Sequence, residues 1–153
     1  MQVKEYLGTV NRLNRMIENK LADLHQFKEL SISIPAVENK DRVQTTPDFD
    51  KIGKVLAKID EMERELDGKI DEYVAVKDMI IGQISDIPNE KYYNILFSKY
   101  IENKTLEKIA DEKMYSFRHT TRLHAEALKE FEDRFGSTFK ALSGINDLIE
   151  SRL

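Results

Sequence analysis

The sequence predicts an all-α protein, in which a long antiparallel helical hairpin precedes a compact helix-turn-helix domain of three to four helices. Charged residues make up 34% of the 153 residues, above the roughly 25% of an ordinary globular domain. Gly and Pro number only 6 and 3, so the turns that sandwiches, barrels and phosphate-binding loops require are scarce. Apolar residues instead return at steps of three and four, the period of an amphipathic helix.

The first helix is predicted from about Gln2 to Leu30, because apolar residues follow one seam along it. The seam consists of Val3, Leu7, Val10, Asn14, Ile17, Leu21 and Leu24. This spacing is typical of a coiled coil, in which a buried amide penalises wrong registers and wrong oligomers. Asn14 is either such an amide or a slightly exposed polar residue. We assign the oligomer contact to Val10, Asn14, Ile17 and Leu21.

A linker is predicted over residues 31–46, where Pro35 and its neighbours break the apolar period. Thr46 and Pro47 suit the cap and first turn of a second helix, which is expected to reach Ser85. Its seam is Ile52, Val55, Ile59, Met62, Leu66, Tyr73, Val76 and Ile80. A helix with one apolar stripe needs a partner, so these two pair with each other, with a second copy, or with both. Residues 1–86 form the predicted first domain.

A second domain is predicted over residues 87–135, after Pro88 ends the long helix. Its first short helix is rich in aromatic residues, and Thr105 can cap a second one from Leu106 to about Glu112. Ser116 can cap a third helix that runs to about Phe135. Gly136 is expected to stop that helix, so that residues 136–153 form a separate C-terminal amphipathic helix.

Three helices, with a tight turn before the last, match the plan of a helix-turn-helix. If Thr120, Leu123, Ala127 and Leu128 face the core, the helical period turns four residues outward. These are Phe117, Arg118, Thr121 and Arg122. Arg can donate two hydrogen bonds to guanine, and Thr can contact a thymine methyl group.

The distribution of charge favours specific over indiscriminate DNA binding. Residues 86–135 hold nine Lys and Arg against ten Asp and Glu. From Lys113 to Ala125, however, there is no acidic residue, and His119 and His124 accompany the basic ones. We therefore assign DNA binding to Lys113, Ser116, Phe117, Arg118, His119, Thr121 and Arg122. Ordinary solvated side chains on a bundle helix are the alternative.

The same stretch resembles region four of bacterial sigma factors. The similarity rests on residues 105–110, then on Ser116 and residues 125–128, and it runs without gaps from Thr105 to Phe131. With the aromatic helix upstream and the capped coiled coil near residues 43–47, the chain resembles phage and prophage regulators of the ArpU and RinA type. That resemblance implies promoter binding, late-gene activation and contact with host RNA polymerase, with the four outward residues approaching the promoter's upstream element.

One position departs from the family pattern, because Met114 stands where those proteins place a left-handed Gly. A side chain there costs about 1 to 2 kcal/mol. Either the turn is strained, or the helix ends differently and Met114 swings inward. We expect the second arrangement, with a slightly displaced third helix.

Other classes of function receive little support from the sequence. His119 and His124 are five residues apart, not the four of a helical zinc pair. We expect no enzyme, no cofactor and no metal. Signal-peptide and membrane-spanning patterns are absent, so we expect a cytoplasmic protein. The coiled coil suggests a homodimer, and the resemblance to phage regulators implies a bacterial host. Two alternatives remain: a DNA-packaging subunit that assembles as a ring, and a coiled-coil protein-interaction module that acts on host RNA polymerase.

Overall fold

The computed structural model describes the backbone of residues 2–37 and 49–150 and the side chains of residues 2–32 and 50–141. The described residues are helical and contain no strand, which confirms the predicted all-α class. The elements are α1 Val3–Val37, α2 Phe49–Ser85, α3 Glu90–Leu96, a π-helical turn Phe97–Ile101, α4 Leu106–Lys113 and α5 Phe117–Glu150.

The chain divides into two compact units that cut across both long helices. One unit contains Met1–Arg12 and Val74–Leu153, and the other contains Leu13–Tyr73. We call them the terminal unit and the central unit. The predicted domains were divided at residue 86, where a helix ends, whereas these units follow packing. The terminal unit therefore takes in the first turns of α1.

The predicted end of the first helix at Leu30 is wrong. Helix α1 continues through Pro35 to Val37, and the hydroxyl of Ser31 donates to the carbonyl of Lys28 at 2.8 Å, within the helix. No Gly lies between residues 30 and 37 to form a left-handed cap, and Pro35 stands only two residues before the helix ends. The rest of the predicted linker and the Thr46–Pro47 cap lie outside the described residues.

In the central unit, α1 and α2 run in opposite directions side by side. Lys20 pairs with Glu65 at 3.1 Å, and Lys28 pairs with Glu63 at 2.6 Å. The residue later in α1 therefore contacts the residue earlier in α2, as in an antiparallel pair. Both pairs are partly exposed, and such pairs contribute about 0 to 1 kcal/mol each. Burial of Leu13, Leu24 and Leu66 is the larger contribution.

The terminal unit has a core in which the start of α1 meets α5. The Tyr6 ring stacks on Phe139 at 5.1 Å and contacts Phe131 at 6.1 Å. Its hydroxyl donates to Oε1 of Gln83 on α2 at 2.8 Å, while burial raises the pKa of the phenol. Helices α3 and α4 both pack on α5, and the π-helical turn contacts α3 and α4.

The prediction that Gly136 separates two helices is wrong, because α5 is continuous from Phe117 to Glu150. Gly136 is buried with an ordinary helical backbone. Phe131 and Phe139 on either side of it are both fully buried. A helical Gly costs about 1 kcal/mol relative to Ala, less than the roughly 1.5 to 3 kcal/mol gained by burying one such side chain. Packing therefore carries the helix past this residue.

Two left-handed residues bound the short helices of the terminal unit. Asn103 has φ 57° and closes the π-helical turn, in which the amide of Glu102 donates to the carbonyl of Phe97 at 3.1 Å. Thr105 follows and caps α4 as predicted, since its hydroxyl accepts a bond from the amide of Lys108 at 3.2 Å. Asn tolerates the left-handed region better than most residues, so this turn suits its sequence.

The turn between α4 and α5 has the left-handed backbone that usually requires Gly, but the residue at this position is Met114. Met114 has φ 56° and ψ 37°, and its side chain is 93% exposed. The amide of Tyr115 donates to Ala110 at 2.9 Å and that of Met114 to Asp111 at 3.3 Å, the two bonds of a Schellman motif. The expected inward swing of Met114 is therefore wrong. The two backbone bonds fix the turn in a conformation that leaves the Met114 side chain in solvent.

Met114→Gly should raise the free energy of unfolding by up to about 1 kcal/mol, because it relieves left-handed strain and removes an exposed side chain. Urea denaturation followed by circular dichroism measures the change. Met114→Ala is the matched control, since it shortens the side chain but keeps a Cβ. A gain in Ala equal to that in Gly would contradict backbone strain at this turn.

Candidate nucleic-acid interface

The first turn of α5 is held by Ser116, the predicted cap. Its hydroxyl oxygen accepts a bond from the amide of His119 at 3.1 Å. Its carbonyl accepts both the amide of Thr120 at 3.0 Å and the Thr120 hydroxyl at 3.1 Å. A hydroxyl residue at this position satisfies an amide that would otherwise lack a partner. The start of α5 is thereby fixed next to the Schellman turn.

The inner and outer faces of α5 lie as the helical period predicts. Thr120, Leu123, Ala127 and Leu128 are buried. Phe117 is 52% exposed, and Arg118, Thr121 and Arg122 are exposed as well. Two cations, a hydroxyl group and an aromatic ring therefore share the outer surface of the N-terminal half of the helix. We call Phe117, Arg118, Thr121 and Arg122 the outer face.

The two arginines of the outer face differ in their surroundings. Arg122 donates from Nη2 to Nδ1 of His119 at 3.2 Å, and its Nε lies 3.8 Å from Oε1 of Glu126. A guanidinium group has donors only, so Nδ1 of His119 must accept, which places the proton of a neutral ring on Nε2. Arg118 has no carboxylate partner within the described residues. It is therefore the less constrained of the two cations.

Glu126 is the acidic group nearest to the outer face, and it is held from the other side. The hydroxyl of Tyr92 on α3 donates to its Oε2 at 3.2 Å. Desolvation raises the pKa of Tyr92, and the hydrogen bond to the Glu126 carboxylate raises it further. The phenol therefore stays protonated and remains a donor. This contact ties the middle of α5 to α3 and gives Glu126 a partner other than Arg122.

Lys113 lies beside a small cleft between α3, α4 and α5, with a volume of about 50 Å³. Ile95, Ile109 and Leu123 contribute its apolar lining, and Lys91, Asn94, Lys113 and Tyr115 contribute its polar lining. The Tyr115 ring meets His119 edge-to-face at 4.8 Å. Lys91 and Lys113 have no ion pair within the described part of the chain. The cleft therefore places two cations near the beginning of α5.

Three residues near the outer face were not predicted from the sequence as part of the interface: Lys91, Tyr115 and Lys129. Lys129 is exposed on α5. Arg122 follows Arg118 by four residues, and Lys129 follows Arg122 by seven, which is about two helical turns, so these side chains lie on the same side of the helix. That spacing could have identified it from the sequence. Lys91 carried no such signal, because it lies on a different helix and approaches Lys113 only through packing.

His124 does not contribute surface charge, contrary to the prediction that placed it with the basic residues. It is 7% exposed, and its Nε2 lies 3.0 Å from the Tyr100 hydroxyl. Burial, aided by the nearby charges of Lys4 and Lys99, lowers its pKa to about 4, and burial raises that of Tyr100 to about 12. Both groups are neutral near pH 7. They link the π-helical turn to α5 inside the core.

The four residues assigned to oligomerisation differ in exposure. Val10 is 2% exposed in the single chain, whereas Leu21 is 54% exposed. Asn14 and Ile17 are half-buried, and the Asn14 amide donates to Glu18 at 3.1 Å. Within the single chain Asn14 is a half-buried polar residue bonded to its own helix, and its burial against a second copy stays a prediction. Val10 is covered by its own chain and offers little surface to a second copy.

The described residues contain no group of three His, Cys, Asp or Glu side chains that could hold a metal ion. None of the described helices is long and apolar enough to cross a membrane. No protein-family model matches this chain, and no curated protein and no solved structure shows significant similarity to it.

The buried imidazole makes stability depend on pH. In the folded chain the pKa of His124 is about 4 instead of 6.5, so between these values the unfolded chain binds a proton that the folded chain does not. Stability is complete above pH 6.5 and falls as pH decreases toward 4. The loss between pH 7 and pH 5.5 should be about 1 kcal/mol.

Urea denaturation of the wild type and of His124→Gln at both pH values measures this contribution. The variant should lose about 1 kcal/mol less than the wild type over that interval. His25→Gln is the control, because that imidazole is 75% exposed on α1. An equal pH dependence in the wild type and His124→Gln would contradict a buried neutral imidazole.

Proposed function

We propose that this protein is a sequence-specific DNA-binding regulator of transcription, which reads promoter DNA with the N-terminal half of α5. The proposal treats α3, α4 and α5 as a helix-turn-helix of the sigma region four kind, with α5 in the major groove. The function is binding without catalysis, and its partner is double-stranded DNA.

The observation that carries the proposal is the composition and exposure of the outer face. One exposed aromatic ring is ordinary on a protein surface. The support for DNA binding is the combination: Phe117 is 52% exposed on the same face as two guanidinium groups, and together they suit a surface of base and sugar edges. The short α4, the Schellman turn and the Ser116 cap place this face at the start of a helix packed on two others, which supports a groove-binding role.

Each outer-face residue has a chemical role in the proposal. Arg118 and Arg122 donate to guanine in the major groove. The hydroxyl of Thr121 donates to the Phe117 carbonyl at 2.9 Å, so its oxygen is left to accept, and its methyl group can contact thymine. Arg122 gives up one hydrogen bond to the His119 ring and one 3.8 Å ion pair with Glu126 when it turns to a base.

The remaining assigned residues would contact the phosphate backbone. The Ser116 hydroxyl accepts from the His119 amide, which leaves its own proton to donate to a phosphate oxygen. Nε2–H of His119 is a second donor, and the ammonium group of Lys113 is a third. Such contacts set the position of the protein on the duplex and do not themselves read sequence.

The proposed partners are promoter DNA, a second copy of the chain and host RNA polymerase. The proposed location is the cytoplasm of a bacterium that carries phage genes. The homodimer stays a prediction, and Val10 contributes little to it in the present arrangement. Two copies would address half-sites about one helical turn, or a multiple of one turn, apart.

Arg122→Ala should weaken binding to the cognate site by about 1 to 3 kcal/mol, the value of one good base contact. Sequencing of genomic fragments that the protein retains first identifies the site, and fluorescence anisotropy with that duplex then measures the dissociation constant. Arg134→Ala is the matched control, because Arg134 lies on the same helix and pairs with Glu130 at 2.7 Å.

A second measurement separates base reading from phosphate binding. Lys113→Ala should reduce the slope of log affinity against log salt by about 1 and weaken cognate and random duplexes alike. Arg122→Ala should instead reduce the preference for the cognate duplex. If Arg122→Ala binds the cognate site as well as Arg134→Ala does, the outer face is not the reading surface.

A further inference from the structure

The central unit carries an apolar surface that its own described residues leave open. Six large aliphatic side chains are 38% to 76% exposed there, and all but Leu30 share one side of the paired helices: Leu21, Ile32, Ile52, Leu56 and Ile70. We call these five the aliphatic face. Single exposed apolar residues are ordinary on a protein surface, but several that share one side of two paired helices indicate an interaction site.

The helical period places the aliphatic face on one side of the paired helices. On α2, Ile52, Leu56 and Ile70 lie within about 40° of one another and of Glu63, at 100° per residue. On α1, Leu21 and Ile32 lie on the side of Lys28. The ion pair between Lys28 and Glu63 therefore marks the groove that these five residues line.

The seam of the coiled coil accounts for this exposure. If Ile52 and Leu66 both occupy heptad position a of α2, then Leu56 and Ile70 both occupy position e. Position e flanks the seam and usually carries a charged residue in a two-stranded coiled coil. Apolar residues at flanking positions broaden the stripe and suit a third helix. From Ile52 to Ile70 the groove is about 27 Å long, which corresponds to about five turns of a bound helix.

The rim of this groove is acidic. Glu18 and Glu29 flank it on α1, and Asp60, Asp67 and Asp71 flank it on α2. The nearby basic side chains are Arg64, which pairs with Asp60, Lys28, which pairs with Glu63, and His25, which contacts Glu29. The basic residues Lys51, Lys54 and Lys58 lie on the other side of α2 by the same period. Residues 13–73 as a whole contain 14 acidic and 10 basic residues, and they hold the full net charge of the chain, −4.

This charge pattern argues against a second copy in the groove, because a two-fold contact would bring two acidic rims together. It favours an occupant with apolar residues along one stripe and Lys or Arg on both flanks. We propose that the aliphatic face is a docking site for a basic amphipathic helix of another protein. This role is separate from the proposed DNA binding, since it uses different helices and the opposite charge.

Two labelled peptides of 18 residues test the proposal with the full-length protein. Both carry the same Leu stripe, one with Lys and the other with Glu at the flanking positions. Fluorescence anisotropy at low salt should give a dissociation constant at least about tenfold lower for the Lys peptide. Equal affinity for the two peptides, or no binding of the Lys peptide, would overturn the proposal.

Variants locate the bound peptide. Leu56→Gln combined with Ile70→Gln should weaken binding of the Lys peptide by about tenfold, whereas Met16→Gln combined with Leu30→Gln, on the other side of α1, should leave it unchanged. Asp67→Asn with Asp71→Asn should weaken it about fivefold, and Asp23→Asn with Glu61→Gln should not. Circular dichroism checks that each variant is as helical as the wild type. Equal losses in the test and control variants contradict the assigned groove.

Sedimentation equilibrium addresses the competing occupant. The proposal would be overturned if the wild type is a dimer, if Leu56→Gln combined with Ile70→Gln dissociates that dimer, and if the Lys peptide does not displace it. That result would assign the groove to a second copy. Loss of DNA binding in Arg122→Ala with unchanged peptide binding would leave the docking proposal intact.

Discussion

Burial of one stripe of α5 is the constraint on which the candidate interface depends. Thr120, Leu123, Ala127 and Phe131 are all buried against α3, α4 and the start of α1. Burial of Leu123 and of Phe131 contributes about 1.5 to 3 kcal/mol each, and rotation of α5 about its axis would expose both. Because successive residues turn by about 100°, the buried stripe fixes the direction of Arg118 and Arg122. The surface chemistry of the helix is therefore a consequence of its core.

The same balance explains why the α4–α5 turn tolerates Met114. A left-handed non-Gly residue costs about 1 to 2 kcal/mol. Relaxing the turn would release the two backbone bonds to Ala110 and Asp111 and would move Ile109 and Ala110 away from the core they share with α5. Those contacts together outweigh the strain at one residue. The strained position and the beginning of the outer face are separated by only two residues.

Charged side chains contribute little to the stability of the fold. The ion pairs of the described residues lie at the surface, where each contributes about 0 to 1 kcal/mol. The polar groups of the core are instead neutral and hydrogen-bonded, as with His124 and Tyr100. The acidic surplus lies in the central unit, while the stretch from Lys113 to Ala125 has no acidic residue. The two units therefore present opposite charge to their surroundings at the places where each is proposed to bind.

The all-α class, the caps at Thr105 and Ser116, and the inner and outer faces of α5 followed from the sequence, because each depends on spacing and on groups within one helical turn. Tertiary packing decided the rest. Gly136 and Pro35 are local helix breakers, yet both helices continue through them, and for Gly136 the reason is the burial of Phe131 and Phe139 on one face. His124 became a neutral core residue because Tyr100, 24 positions away, covers it. Leu21 is exposed because the buried stripe of α1 runs through Leu13 and Leu24, and Leu21 lies to one side of that stripe. Local sequence determines which residues share a helix face, but only contacts between distant segments determine which face is covered.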